Sequence, residues 1–127
     1  MSRRFVLDSS AILALLWAEP GSEKVAEYLT KSSISAVNAA EVLTKLRESG
    51  ITRENATSNF DELGIEIIDF DFKSAAETAE LRISTNQLGL SLGDRACLAL
   101  GIKLDATIVT ADKSWAKFRS AKIEVIR

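Results

Sequence analysis

Apolar residues recur along this chain in two alternating styles, short compact runs and stripes at helical spacing. Phe5-Val6-Leu7, residues 65–68 and residues 106–110 are runs too short for a helix and read as buried strands. Ile123, Val125 and Ile126 close the chain as a last strand, and residues 33–36 form a weaker candidate. Between the runs the period changes. Ser9 or Ser10 can cap a helix through Ile12, Leu15 and Leu16 to Trp17, stopped by Glu19-Pro20-Gly21. Ser22 can start a second helix carrying Val25, Ala26 and Leu29. Over residues 37–48, Ala39, Val42, Leu43 and Leu46 fall at i, i+3, i+4 and i+7 of a third.

Gly50 ends that helix, and Thr52 can cap a fourth through Phe60 and Leu63. Asp71 can cap a helix over 75–83, residues 86–93 read as a loop turning at Leu88-Gly89, and 91–104 as a further helix. A short helix is expected over 112–118. Strands alternating with helices imply βαβ units, hence an α/β fold whose mainly parallel sheet is covered on both faces. No internal repeat, low-complexity tract or linker interrupts it.

This order changes the meaning of four acids. In an open parallel sheet, strand C-termini and helix N-termini share one edge, where ligands bind. Asp8 closes the first run, Asp112 follows the run ending near Thr110, and Glu41 and Asp94 fall in the opening turns of two predicted helices. Four carboxylates gathered there repel one another unless a cation neutralises them. Mg²⁺ and Mn²⁺ take oxygen ligands of this kind. The pattern points to a metal-dependent enzyme acting on phosphate esters. Other acids sit elsewhere: Asp61 and Glu62 late in a helix, Glu77 and Glu80 within one, Glu124 inside the last strand. Asp69 and Asp71 also follow a strand, but one expected at the outside of the sheet.

Each acid also has a plain structural role available. Asp8 can cap the first helix. Glu41 can pair with Lys45 at i,i+4 on an exposed face. Ser91-x-x-Asp94 matches a capping box, and Asp112 can cap the turn containing Trp115. Their joint position at one edge is what these separate roles leave unexplained.

Composition narrows the chemistry further. With 127 residues the chain suits one compact domain. There is no histidine, which removes imidazole bases and Ser-His-Asp mechanisms, and the lone Cys97 excludes an internal disulfide or a CxxC metal site. The formal net charge is −2, yet setting aside the four candidate ligands leaves 14 acids against 16 Lys and Arg. A phosphate-rich substrate is therefore compatible with the remaining surface. No apolar run approaches the about 20 residues of a membrane span. Met1-Ser2-Arg3-Arg4 leads into a segment too short and too quickly charged for a signal peptide, so a cytoplasmic protein is expected.

Leu7-Asp8-Ser9-Ser10, Asn38-Ala39-Ala40-Glu41-Val42, the segment from Ser91-Leu92-Gly93-Asp94-Arg95 to Leu100, and Thr110-Ala111-Asp112-Lys113-Ser114-Trp115 resemble the signature segments of PIN-domain ribonucleases. The nearest resemblance is to VapC-type toxins of prokaryotic toxin–antitoxin pairs. It implies a single PIN-like domain over residues 1–127, a three-layer fold with about five short strands. It also implies an Mg²⁺- or Mn²⁺-dependent endoribonuclease in which Asp8, Glu41, Asp94 and Asp112 are catalytic and metal-binding, with Thr110 beside them. RNA is the implied substrate, a small antitoxin the partner and a homodimer the assembly, with no membrane association. The antitoxin is expected to lay an amphipathic segment across the acidic edge and place an Arg or Lys among the carboxylates.

Lys45, Arg95, Lys113 and Lys117 are candidates for phosphate contacts. Trp17 and Trp115 are expected in the core. Surplus apolar residues on the first two helices, from Ile12 to Leu29, suggest an interface. Two other readings stay open: a Mg²⁺-binding phosphoacceptor resembling receiver modules, which fits poorly because serines rather than a second acid follow Asp8, and a partner-binding regulator whose acids are all caps.

Overall fold

A computed structural model describes residues 3–127. Met1 and Ser2, which open the segment read above against a signal peptide, lie outside the described residues. Five strands form one sheet: β1 (Phe5–Leu7), β2 (Ser32–Ser35), β3 (Glu66–Ile68), β4 (Thr107–Thr110) and β5 (Lys122–Val125). Their order is β3-β2-β1-β4-β5, and every pairing is parallel. The helices are α1 (Ser9–Leu16), α2 (Ser22–Tyr28), α3 (Ala36–Glu48), α4 (Arg53–Asp61), α5 (Phe72–Ser84) and α6 (Leu92–Leu104). The α/β expectation with a covered parallel sheet holds.

Alternation along β1 divides the core. Phe5 and Leu7 pack with Ile12, Val25, Ile34, Val42, Leu46 and Phe60, residues contributed largely by α1 to α4. Val6 points the other way, onto Cys97, Leu98, Ile108 and Trp115. A strand apolar at every position is thus buried on both faces, and β1 takes the centre of the sheet. On the second face α6 approaches β4 closely because Gly101 has no side chain; a Cβ there would occupy the space of the Ile108 side chain.

β2 is the strand that pattern predicts least well. Ser32, Ser33, Ile34 and Ser35 are all buried, and each serine finds a partner. Ser32 donates to the Tyr28 carbonyl, Ser33 donates to Glu66, and Ser35 accepts from the Val37 N–H to cap α3. Paired hydroxyls make an otherwise costly burial tolerable. Several local expectations need adjustment. Asp8, not Ser9 or Ser10, is the N-cap of α1. The short helix expected over 112–118 is a 3₁₀ turn over Lys113–Lys117. Trp115 is buried as expected, but Trp17, just past the end of α1, is 43% exposed. No helix is long and apolar enough to cross a membrane.

Candidate active site

β1 and β4 are neighbours, so the residues after them meet at the carboxyl edge of the sheet. Asp8 stands there, only 4% exposed. One carboxylate oxygen accepts from the Ala11 N–H at 2.9 Å and the Ser10 hydroxyl at 2.7 Å. The other accepts from the Thr110 hydroxyl at 2.7 Å. The two hydroxyls are themselves held by backbone donors beyond β4: Ala111 N–H to Ser10 Oγ at 2.9 Å, and Asp112 N–H to Thr110 Oγ1 at 3.0 Å. Asp8 therefore caps α1 and also presents a carboxylate clamped between two strands.

Burial is the main force on this group and raises its pKa from 3.8 to about 6. The hydrogen bonds from Thr110, Ala11 and Ser10 oppose the rise, while the charge of Asp94 adds to it. Cys97, one turn along α6 from Asp94, is fully enclosed; burial, then the charges of Asp8, Asp94 and Glu41, push its thiol well above the ordinary range. It is an inert neighbour that feels the charge of all three carboxylates.

Asp94 sits in the first turn of α6 and completes the capping box, accepting from the Ser91 N–H at 3.0 Å while Ser91 Oγ accepts from its own N–H. Glu41 lies in the second turn of α3, which begins one residue earlier than the sequence suggested. It does not pair with Lys45, whose partner is Glu48 at 3.7 Å. Instead the Asn38 amide donates to Glu41 at 2.9 Å and to the Gly93 carbonyl at 3.0 Å. Gly93 leaves room for this arrangement, since a Cβ there would stand 2.6 Å from the Glu41 carboxyl carbon and the Glu41 side chain would have to shift.

Asp112 is placed differently. It is exposed, and one of its carboxylate oxygens caps its own turn by accepting from the Ser114 N–H and hydroxyl at 2.9 and 2.7 Å. Its link to Asp8 runs through its backbone and the Thr110 hydroxyl.

Among the described residues, no three His, Cys, Asp or Glu side chains close to metal-ligand spacing. The donor set nevertheless fits a hard divalent ion. It is all oxygen, and it contains a buried carboxylate destabilised in its charged form with no cation bonded to it.

Four phosphate-contact candidates divide two and two. Arg95 is half-buried and donates to the Thr78 carbonyl, tying α6 to α5, and Lys45 is occupied by Glu48. Lys113 and Lys117 are exposed in the turn that leaves Asp112. Sequence reading gave Ser10 only a capping role and assigned none to Gly93 or Asn38. The available signal was Asn38 at i−3 from Glu41, a spacing that lets two helical side chains meet.

The PIN domain family matches residues 5–121. This chain belongs to the PIN domain family. Solved structures with the same fold include VapBC2 of Rickettsia felis bound to a promoter DNA fragment, 25% identical, with a TM-score of 0.75 over 95% of this chain and 97% of that one. DNA-bound VapBC of Salmonella typhimurium is 17% identical with a TM-score of 0.77, covering 99% of this chain and all of that one. VapBC-5 of Mycobacterium tuberculosis, from the VapBC family of toxin–antitoxin systems, is 20% identical with a TM-score of 0.64 and 99% coverage of both chains. No curated protein sequence matches the chain. PIN domain membership displaces the receiver-like reading, and Asp8 is followed by two serines rather than a second acid.

Proposed function

We propose that this PIN domain, read as one unit over the whole chain, is a metal-dependent endoribonuclease and the toxin of a toxin–antitoxin pair. The observation that carries the reading is Asp8: a carboxylate buried at the sheet edge, clamped by three donors, with the charge of Asp94 acting on it.

Asp8, Glu41, Asp94 and Asp112 would hold Mg²⁺ or Mn²⁺, which when bound supplies positive charge to an attacked phosphate and acidifies a water. The chain's own residues do the positioning. Ser10 and Thr110 donate their hydroxyl protons to Asp8, and both fix the carboxylate. Without histidine, carboxylates are the available proton acceptors at this edge. Hydrolysis of an RNA phosphodiester then needs no covalent intermediate on the protein.

A groove of about 530 Å³ lies between the end of α5 and the segment after β4, lined in part by Ser84, Asn86, Gln87, Lys117, Arg119 and Ser120 and by no acid. The 3₁₀ turn Lys113–Lys117 leads to it from Asp112 over roughly 10 Å. Two cations and several hydrogen-bonding side chains suit a single-stranded RNA flank.

The assembly reading is a homodimer silenced by an antitoxin. Of the apolar residues expected at an interface on α1 and α2, Ile12 and Val25 are fully buried, Leu15, Leu16, Tyr28 and Leu29 are half-buried and Trp17 is exposed. The larger open apolar stripe is on α5, where Phe72 (88% exposed), Ala76, Ala79 and Ile83 (78% exposed) recur at i, i+4, i+7 and i+11. Antiparallel self-pairing would set Phe72 against Ile83 of a second copy, with the small alanines allowing close approach.

The direct test incubates the purified protein with circular and linear RNAs in Mg²⁺ or Mn²⁺. Cutting of the circle, absent with EDTA and in Asp8→Asn, supports a metal-dependent endoribonuclease. Cutting that survives in Asp8→Asn sinks the assignment. Expression in cells should arrest growth, and Asp8→Asn should not.

A further inference from the structure

Asn38 is buried to 1% exposure in the first turn of α3, and both protons of its side-chain amide are spent. One goes to Glu41 Oε1 at 2.9 Å and the other to the Gly93 carbonyl at 3.0 Å. Its own Oδ1 has no hydrogen-bond partner. Exchanging the amide's two ends is not an option, because Oδ1 would then face two acceptors.

A buried acceptor left unmatched is unfavourable for stability. An asparagine chosen for packing alone would not carry one. What the residue does accomplish is specific: it bridges α3 to the opening turn of α6, the turn that carries Asp94. Glu41 would otherwise be free to swing toward solvent and toward Lys45, one turn ahead on the same helix. The neighbouring Gly93 keeps the space that Glu41 fills. Asn38 and Gly93 thus fix the carboxylate from two sides.

We infer that Asn38 is a positioning residue: it holds the Glu41 carboxylate against the α6 N-terminal turn, so that Glu41 faces the same point as Asp8 and Asp94. The inference rests on the metal-dependent reading of the site given above. Residues that orient a ligand typically change metal affinity or activity by roughly 10–100-fold when removed.

The experiment is a double-mutant cycle on the full chain with Asn38→Leu, Glu41→Gln and the double variant, with Mn²⁺ alone as the probe. Leucine keeps the branching of asparagine but is bulkier and has no polar atoms, so the metal-free melting temperature should fall somewhat, and each Mn²⁺ shift is read from that protein's own metal-free midpoint. The readouts are the Mn²⁺ concentration giving half of the maximal thermal shift, and kcat on RNA. Asn38→Leu should raise that Mn²⁺ concentration roughly 10–100-fold, and the double variant should be no weaker than Glu41→Gln alone.

Wild-type Mn²⁺ affinity in Asn38→Leu, beside a weakened Glu41→Gln, overturns the role of Asn38 and leaves the site reading standing. So do two effects that multiply independently. A Glu41→Gln protein indistinguishable from wild type in both readouts removes Glu41 from the site, and Asn38 with it. If Asn38→Leu does not fold, Asn38→Ala, assayed at a temperature where circular dichroism shows all proteins folded, takes its place in the cycle. The same outcomes then decide.

Discussion

Thr110, the last residue of β4, donates its hydroxyl proton to Asp8, the residue after β1, across 2.7 Å of fully buried space. The same oxygen accepts the Asp112 N–H at 3.0 Å. One hydroxyl thereby fixes both the carboxylate at the centre of the edge and the course of the chain as it leaves β4. Thr110→Val keeps the shape and removes both interactions. The Asp8 carboxylate would lose a bond that lowers its pKa, so its titration midpoint, followed by NMR in metal-free protein, should move upward. Stability at neutral pH should fall by about 1–3 kcal/mol, and nuclease activity should fall with it. Thr110→Ser should restore most of each, and a Thr110→Val protein with an unmoved Asp8 titration would show that the bond does not govern that carboxylate.

The folded pKa of Asp8, about 6 against an ordinary 3.8, makes a second prediction about the metal-free protein. A raised value means the folded state holds this proton more tightly than the unfolded chain does. The associated stability is fully present below about pH 4 and is lost as pH rises through about 6, a change of about 3 kcal/mol. In EDTA the melting temperature should drop by on the order of 10 °C across that window from this group alone. Asp8→Asn, which can still cap α1, should flatten that part of the curve. An equal slope in wild type and variant would place the titrating group elsewhere.

How much of this was readable in advance depends on whether a residue's role was local. Caps are local, and Thr52, Asp71 and the Ser91–Asp94 box all perform them. β1 and β4 were legible because burial on both faces leaves a continuous apolar run. β2 was hard to see because its serines are satisfied by Tyr28, Glu66 and Val37, partners supplied by the tertiary fold. At the site, the edge position of the acids followed from element order alone. The partners of Glu41 did not, because the wheel of α3 shows Lys45 at i+4 but cannot show that α6 brings the Gly93 carbonyl within reach of Asn38. Asp112 was legible as an acid after β4, but not the orientation that commits one of its oxygens to Ser114.

The exposed stripe on α5 predicts self-association that a charge should abolish. Phe72 and Ile83 are the most exposed large apolar side chains of the described residues. Ile83→Asp or Phe72→Asp should convert a dimeric mass in light scattering to a monomeric one. Because neither side chain is part of the buried core, the metal-free melting temperature measured at low concentration should change little. Trp17→Asp serves as the control for the interface expected on α1; loss of the dimer there, with Ile83→Asp still dimeric, would move the contact to that helix.

The groove beside the turn after Asp112 predicts a separable effect on RNA affinity. Lys117 and Arg119 line it with Ser84, Asn86 and Gln87, away from the carboxylates that hold Asp8 company. Phosphate contacts made by cations release counterions, so each one contributes to the salt dependence of binding at about 0.7 per contact for a single strand. Lys117→Ala with Arg119→Ala should therefore weaken binding of a single-stranded RNA and reduce the slope of log affinity against log salt by roughly 1–1.5. In steady-state cleavage the change should appear in KM, with kcat at saturating RNA nearly preserved, because these contacts are made equally before and during the reaction. An oligonucleotide too short to reach from Asp112 to the groove should be bound alike by wild type and variant. An unchanged salt slope with the long RNA would mean that the strand leaves the acidic edge by another path, and Lys113, exposed at the start of the same turn, would be the next cation to remove.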